Sequence, residues 1–314
     1  MIHTAKQMKD LIRNKSKKTG ISAQVLLRKF MMERFMERVS QSTYREHFII
    51  KGGLLVSAFV GSELRSTMDI DTTVKGLPVT ADYIRQVVAD ICAIQLGDNV
   101  AFQINDIAPV MEEADYPGLR LSMSAVLDES IIPMKIDIST GDAITPSEIR
   151  YEYPLMFENR SIPVMAYPIE TVLAEKIETI ISRSTANTRM RDFYDVCILT
   201  KTQKVNTALL RQALMATAEK RGSATAINHA DHILSAIIND ADMQRNWQQY
   251  AKKNPYVGPV TWNEVTRSVL QLCLHIGLVE EKQSIRKQLE MFKGTTSNKP
   301  TIARTTNHNN ELER

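Results

Sequence analysis

The stretch from Ile49 to Lys75 reads IIKGGLLVSAFVGSELRSTMDIDTTVK and places a pair of glycines ahead of a pair of aspartates. An apolar segment leads into Gly52 and Gly53, and a run typical of a helix follows them. Glycine lets the backbone turn sharply and come close to a bound group. Because the free N–H groups at the start of a helix attract anions, this turn predicts a binding site for a phosphate.

Asp69 and Asp71 lie two residues apart in a segment, Met68 to Val74, that predicts a strand. Side chains alternate along a strand, so both carboxylates are expected on the same face. Two acids side by side are unfavourable unless solvent or a cation offsets their repulsion. A solvated strand end is one explanation. The preceding glycine pair favours the other, a pair of metal ligands beside a phosphate, which is what nucleotidyl transfer requires.

A third acidic residue lies on a later predicted strand, Met134 to Ser139. There Ile136 and Ile138 are expected to face the core, so Asp137 is expected on the open face. If this strand lies beside the one that carries the aspartate pair, three carboxylates meet on one surface and repel one another strongly. A divalent cation would remove that cost. Asp69, Asp71 and Asp137 together therefore predict a site for one or two Mg²⁺ ions.

The whole chain has 314 residues, a hydrophobic content of 43% and a formal net charge of +3. Such a composition suits a folded core, and the small charge neither indicates nor excludes a nucleic-acid partner. No apolar run approaches the roughly 18 residues of a membrane-spanning helix, and the N-terminus lacks a secretion signal. The three cysteines are widely spaced and predict no disulfide framework or zinc site, so a reducing cytoplasm is expected.

Changes in hydrophobic periodicity divide the chain into four segments. Residues 1–42 predict N-terminal helices, and residues 43–166 predict a core with a small mixed sheet. Residues 167–292 predict an all-helical C-terminal domain, and the polar residues 293–314 predict a disordered tail. The predicted fold class is therefore α+β.

Lys176 falls on the apolar stripe of a predicted helix, where a lysine must extend to solvent, pair or act on a ligand. On the next predicted helix, Asp192 borders the buried side and could reach Lys176 or a cleft. Asp195 could instead pair with Arg191 one helical turn away, which would be a purely structural role.

Four motifs occur in an order that resembles the AbiEii-type nucleotidyltransferase toxins. They are Lys51-Gly-Gly-Leu-Leu, Arg65-Ser-Thr-x-Asp-Ile-Asp, Ala174-Glu-Lys and Arg191-Asp-Phe-Tyr-Asp. These toxins, which include the MenT enzymes, belong to the polymerase-β-like superfamily and to type IV toxin–antitoxin and phage-defence systems. The resemblance covers roughly residues 43–199.

The resemblance implies transfer of a nucleoside monophosphate from an NTP to an acceptor, which in better-understood relatives is the 3′ end of tRNA. It implies that Asp69 and Asp71 hold Mg²⁺, that Lys176 contacts the triphosphate and that Asp192 orients or activates the acceptor. It also implies an antitoxin partner, with or without a stable complex. The residues expected to bind the nucleotide are Gly52, Gly53, Arg65, Thr67 and Lys176.

Two other functions remain open on the sequence. The first is a nucleotidyltransferase that modifies a small hydroxylated molecule, as antibiotic-modifying enzymes do. The second is a non-catalytic module that binds nucleic acid or protein. Neither the NTP nor the acceptor follows from the residues alone.

Overall fold

Two helices open the chain, α1 (Ala5–Thr19) and α2 (Ala23–Gln41). The computed structural model describes residues 2–61, 65, 67–110 and 118–280. Thr4 and Ser22 cap the two helices with their hydroxyl groups, as short polar side chains do at helix starts. Gly20, with a φ of 73°, ends α1 in the left-handed conformation. The predicted N-terminal helices are thus confirmed.

A seven-stranded mixed sheet follows, in the order β3-β4-β5-β2-β1-β7-β6. Its strands are β1 (Phe48–Lys51), β2 (Ile70–Val74), β3 (Ala101–Val110), β4 (Gly118–Leu127), β5 (Ser130–Ser139), β6 (Ile149–Pro154) and β7 (Ser161–Ala166). The pairs β2–β5 and β1–β7 are parallel, and the other neighbouring pairs are antiparallel. The parallel pairing of β2 with β5 brings together the two strands that were expected to carry carboxylates.

The sheet is covered by helices because its strands alternate between buried and exposed residues. On β5, for example, Ile132, Met134, Ile136 and Ile138 are buried, while the residues between them are more exposed. Helix α2 packs against β5 and β7, and α4 (Ala81–Cys92) packs against β3. Helix α3 (Gly52–Val60) connects β1 to the segment before β2.

Helix α2 is buried on nearly all sides, which its apolar stripe alone does not predict. Its charged residues are paired with other parts of the chain. Arg38 donates two hydrogen bonds to Asp98, at 2.8 and 2.9 Å. Arg160 reaches Glu37 from the turn between β6 and β7 at 2.7 Å. A buried charge of this kind is tolerated because it is paired and hydrogen-bonded.

The C-terminal half is helical. It consists of α5 (Ile169–Arg183), α6 (Met190–Thr202), α7 (Thr207–Lys220), α8 (Ala224–Asn228), α9 (Ala230–Asn239), α10 (Ala241–Lys253) and α11 (Trp262–His275), with short 3₁₀ turns at Ser184–Ala186 and Pro255–Val257. Helix α5 packs on α6 and α7, and α6 also contacts α3. Through these contacts, α5, which bears Lys176, and α6, which bears Asp192, lie near the glycine turn that follows β1.

The predicted α+β fold, with a mixed sheet, N-terminal helices and a helical C-terminal half, is confirmed. The described residues all fall within one compact unit that extends to Glu280, so the boundaries at 42 and 166 stay predictions. The tail predicted for residues 293–314 lies outside the described residues, as does the last part of the predicted domain 167–292. None of the described helices is both long and apolar enough to cross a membrane.

Candidate active site

The glycine pair forms the junction between β1 and α3, and both glycines are required by close contacts. Gly52 has a φ of 61°, and a Cβ atom placed on it would lie 2.1 Å from Oδ2 of Asp71. A Cβ atom on Gly53 would lie 2.8 Å from the hydroxyl of Thr67. The backbone N–H of Gly53 donates a hydrogen bond to the same Asp71 oxygen at 3.2 Å. The start of α3 therefore faces a carboxylate directly.

Asp71 lies between two charged residues on neighbouring strands, because it pairs in register with Lys51 of β1 and with Asp137 of β5. Burial raises the pKa of Asp71, and the nearby carboxylates Asp137 and Asp69 raise it further. The Gly53 N–H and the Lys51 ammonium act in the opposite direction. A carboxylate with other carboxylates close to it is a ligand that a divalent cation stabilises, so Asp71 fits a Mg²⁺ ion as one of its ligands.

The expected cluster of three carboxylates is not assembled as the sequence predicts. Strand β2 begins at Ile70, so Asp69 lies in a bend just before the strand and is only partly exposed. Asp137 accepts two hydrogen bonds from Arg120, both at 2.7 Å, which neutralise its charge. Across the described ranges, no three His, Cys, Asp or Glu side chains lie close enough together to hold a metal ion. Ligation by Asp69, Asp71 and Asp137 stays a prediction.

Lys176 pairs with two carboxylates of α6. Its Nζ atom lies 2.8 Å from Oδ1 of Asp192 and 2.7 Å from Oδ2 of Asp195. Asp195 in turn accepts a hydrogen bond from Nε of Arg65 at 2.8 Å. The interpretation that Asp192 reaches Lys176 is confirmed. The alternative pairing of Asp195 with Arg191 is wrong, because the Asp195 carboxylate turns inward to Arg65 and Lys176.

The contacts among Arg65, Lys176, Asp192 and Asp195 shift the pKa values of Lys176 and Asp195 so that both stay charged. Burial alone would lower the pKa of Lys176, but Asp192 and Asp195 outweigh burial and raise it above the ordinary value. Burial would raise the pKa of Asp195, but Arg65 and Lys176 lower it below the usual carboxyl range. Lys176 is therefore a permanent cation at neutral pH, suited to contact a phosphate and unsuited to act as a base.

Arg65 and Thr67 were both expected to bind the nucleotide, and the structure places both against Gly53, with Arg65 also lining the cleft. Arg65 is 1% exposed, holds Asp195 and lies so close to Gly53 that a Cβ atom there would be 2.9 Å from Nη2. Thr67 is also buried. These contacts hold the turn and the Lys176 group in place, and direct contact with a nucleotide stays a prediction for both residues.

A second polar group in the cleft was missed by the sequence analysis. Oδ2 of Asp142 accepts hydrogen bonds from Lys51 at 2.7 Å, from Ser139 at 2.7 Å and from Tyr167 at 2.9 Å. Burial would raise the pKa of Asp142, but Lys51 and the hydroxyl donors lower it well below its usual range. Lys51 was visible in the glycine motif, but nothing near it in the sequence indicates Asp142 as its partner.

These residues line one open cleft of about 1110 Å³. Lys51, Gly52, Gly53, Asp71, Asp137 and Asp142 line it from the sheet, and Lys176 and Asp192 line it from helices α5 and α6. Pockets for a single small ligand measure about 300–1,000 Å³. The cleft is large enough to hold a nucleotide together with part of a second substrate.

The sequence model of one protein family, "Nucleotidyl transferase AbiEii toxin, Type IV TA system", matches residues 34–267. The match spans the sheet core, the cleft and most of the helical half. No curated protein matches the sequence.

Solved structures of similar fold include two from Helicobacter pylori. The crystal structure of JHP933 from Helicobacter pylori has 15% sequence identity and a TM-score of 0.49, over 87% of this chain and 98% of that one. A crystal structure of a candidate nucleotidyltransferase from H. pylori has 16% identity and a TM-score of 0.46, over 86% and 98% of the two chains.

Proposed function

This chain belongs to the AbiEii family of nucleotidyl transferase toxins, and we propose that it transfers a nucleoside monophosphate from an NTP to an RNA acceptor. The 3′ end of tRNA is the proposed acceptor, and blocked translation is the proposed toxic effect. One observation carries this proposal: Asp71 and Lys176 line the same cleft from its two walls. A carboxylate that fits a metal and a cation that fits a phosphate therefore face a common space.

In the proposed reaction, the acceptor hydroxyl loses its proton to solvent and forms a bond to the α-phosphorus, and the bond from that phosphorus to the leaving pyrophosphate breaks. Such transfers depend on alignment and on neutralised charge more than on covalent help from the protein. Mg²⁺, held by Asp69 and Asp71 with Asp137 beside them, would supply Lewis-acid neutralisation of the phosphates when bound. Lys176 supplies a further positive charge, and Asp192, which lies beside it, orients the acceptor hydroxyl.

The proposed setting follows from the family and from the residues. Type IV toxin–antitoxin systems imply an antitoxin partner, and an NTP is the implied co-substrate. A reducing cytoplasm, where NTPs and tRNA occur together, is the proposed compartment. It is supported by the three cysteines, Cys92, Cys197 and Cys273, which are all free thiols.

The test is incubation of the purified protein with each α-labelled NTP, Mg²⁺ and one of three acceptors: total RNA, tRNA or a panel of small hydroxylated compounds. We expect label on RNA, and chiefly on tRNA. Asp71→Ala and Lys176→Ala should each abolish the label, whereas Lys17→Ala, on the exposed face of α1, should leave it unchanged.

Each other outcome selects a different function. Label on the small compounds alone would replace the RNA acceptor with a small molecule. RNA or protein binding with no turnover of any NTP would identify a non-catalytic module. Full transfer by both Asp71→Ala and Lys176→Ala would show that the cleft is not the active site.

A further inference from the structure

Most charged side chains along the cleft neutralise one another. On the sheet wall, Lys51 pairs with Asp142 at 2.7 Å. On the helical wall, Arg221 pairs with Glu175 at 2.8 Å and with Glu178 at 2.7 Å. The pairing of Lys176 with Asp192 and Asp195 has been described above. Charges matched in this way contribute little net attraction to a distant polyanion.

Three arginines on the helical wall are exceptions. Arg183 is the last residue of α5, Arg189 directly precedes α6, and Arg191 lies in the first turn of α6. All three line the cleft and are exposed. Within the part of the chain that the structure describes, their guanidinium groups make no hydrogen bond or ion pair. We call Arg183, Arg189 and Arg191 the arginine rim.

The arginine rim is placed beside the residues that would handle the acceptor. Arg189 and Arg191 both precede Asp192 in sequence, by three residues and by one residue, and Asp192 contacts Lys176. In the proposed function, Asp71 on the sheet wall and Lys176 on the helical wall already provide the triphosphate with a carboxylate for its metal and with a cation. Three further cations on an exposed rim exceed what an NTP requires, and arginine is the side chain best suited to phosphate oxygens.

We propose that the arginine rim binds the sugar–phosphate backbone of the acceptor RNA and directs its reacting end toward Asp192. This inference rests on the proposed function, because it assigns a docking surface to the RNA substrate. RNA approaches from the side of the α5–α6 connection, while the NTP lies against the glycine turn. Binding through backbone phosphates is strong at low salt and weakens as counterions compete.

The test measures RNA binding without NTP, by fluorescence anisotropy of 5′-labelled tRNA over a salt range of about 50 to 300 mM. Three proteins are compared: the unsubstituted chain, Arg183→Gln/Arg189→Gln/Arg191→Gln, and Lys9→Gln/Lys17→Gln/Lys18→Gln. The lysine control removes the same charge from exposed positions on α1. Circular dichroism and thermal unfolding of each protein establish that it is folded.

Loss of the rim should lower RNA affinity by about tenfold near 100 mM salt and should reduce the slope of log affinity against log salt by roughly two. The lysine control should change both quantities much less. The KM for NTP should stay within about twofold in the rim variant, because the rim contacts the acceptor and not the triphosphate.

Equal losses in the rim variant and the lysine control would overturn the inference, because they would show diffuse attraction and not a docking surface. A raised KM for NTP with unchanged RNA affinity would also overturn it and would assign the rim to the triphosphate. Failure of the proposed function is a separate result. An unsubstituted chain that transfers no label, yet binds RNA through the rim, would keep this surface and remove the reaction.

Discussion

The ammonium nitrogen of Lys176 lies 2.7 Å from a carboxylate oxygen of Asp195, which is itself completely buried. Arg65 contacts the same carboxylate from the other side, so a single buried acid joins α5, α6 and the segment before β2. The lysine that faces the cleft is thus held by a residue that no ligand can reach. Asp192, which is 14% exposed in its side chain, is the partner of Lys176 that opens toward the cleft.

This difference predicts separate effects of substituting the two aspartates. Asp195→Asn removes the buried carboxylate that Arg65 and Lys176 share, although Lys176 keeps its contact with Asp192. We therefore expect a loss of about 3–5 kcal/mol in the free energy of unfolding. Asp192→Asn removes a more accessible charge and should cost about 1 kcal/mol, yet it should abolish transfer. Urea unfolding and label transfer measure the two effects. Equal destabilisation by both substitutions would contradict the assigned division of roles.

The contact between Gly52 and Asp71 predicts that Gly52→Ala inactivates the protein. The new methyl group would displace the Asp71 carboxylate, and a displacement of about 1 Å can cost on the order of a hundredfold in rate. Gly20→Ala is the matched control, because Gly20 also has a positive φ, of 73°, with no atom within 4 Å of an added Cβ. It should lose about 1–2 kcal/mol of stability and keep its activity. Similar activities of the two folded variants would exclude steric coupling at Gly52.

The ion pair between Arg120 and Asp137 predicts that substitutions of its two members change the Mg²⁺ concentration needed for activity in opposite directions. If Asp137 contributes to Mg²⁺ binding, Asp137→Asn should raise the half-saturating Mg²⁺ concentration about tenfold, which corresponds to about 1.4 kcal/mol. Arg120→Gln should lower it, because the guanidinium no longer competes for the carboxylate. Both changes should leave stability within about 1 kcal/mol, since the two side chains are partly exposed. Titration of transfer activity with Mg²⁺ measures the requirement, and unchanged values in both variants would exclude Asp137 from the metal site.

Glu33 of α2 predicts a measurable dependence of stability on pH. Burial raises the pKa of Glu33 to about 7, against the opposing effects of Lys29, the backbone N–H of Met156 and Arg34, while Glu158 raises it slightly further. The folded state therefore favours the protonated acid. Its contribution to stability is greatest below about pH 4.5, declines as the pH rises from there to about 7, and is lost above that value.

Glu33→Gln tests this dependence, because glutamine keeps the acceptor oxygen that receives the Met156 N–H at 3.0 Å. The variant should be the more stable protein at pH 8, by up to about 3 kcal/mol, and the difference should shrink as the pH falls toward 4.5. Urea unfolding at several pH values measures it. The neighbouring Tyr153 is fully buried and its raised pKa keeps it neutral over this range, so it does not obscure the result. A difference between the two proteins that does not vary with pH would contradict the assignment.

Local features of the fold were predictable from the sequence because short-range contacts determine them. The strand–glycine–helix junction and the alternation along β5 both depend on residues within a few positions. The pairing of Lys176 with Asp192 was also accessible, because both residues border the apolar faces of consecutive helices. The family match over residues 34–267 supports nucleotidyl transfer, the reaction that the motifs predict.

Pairings between distant residues were not predictable in the same way. Asp142 and Lys51 are 91 positions apart, and no local pattern specifies that the chain after β5 returns to β1. Arg120 meets Asp137 only because the β4–β5 register sets them opposite each other. The Asp195 side chain contacts Arg65 and not Arg191 of its own helix. This choice depends on the packing of α6 against α3. Tertiary contacts of this kind override helical spacing.

The 130 positions between Arg65 and Asp195 have a consequence for synthesis of the protein. A nascent chain that has emerged only as far as the sheet core carries the glycine turn and Asp71, but it lacks the carboxylate that accommodates its buried guanidinium. Lys176 also joins the site only when this later part of the chain has been made. Amino-terminal fragments that end before α5 lack Lys176, Asp192 and Asp195, so we expect interrupted translation of this chain to yield products without transfer activity.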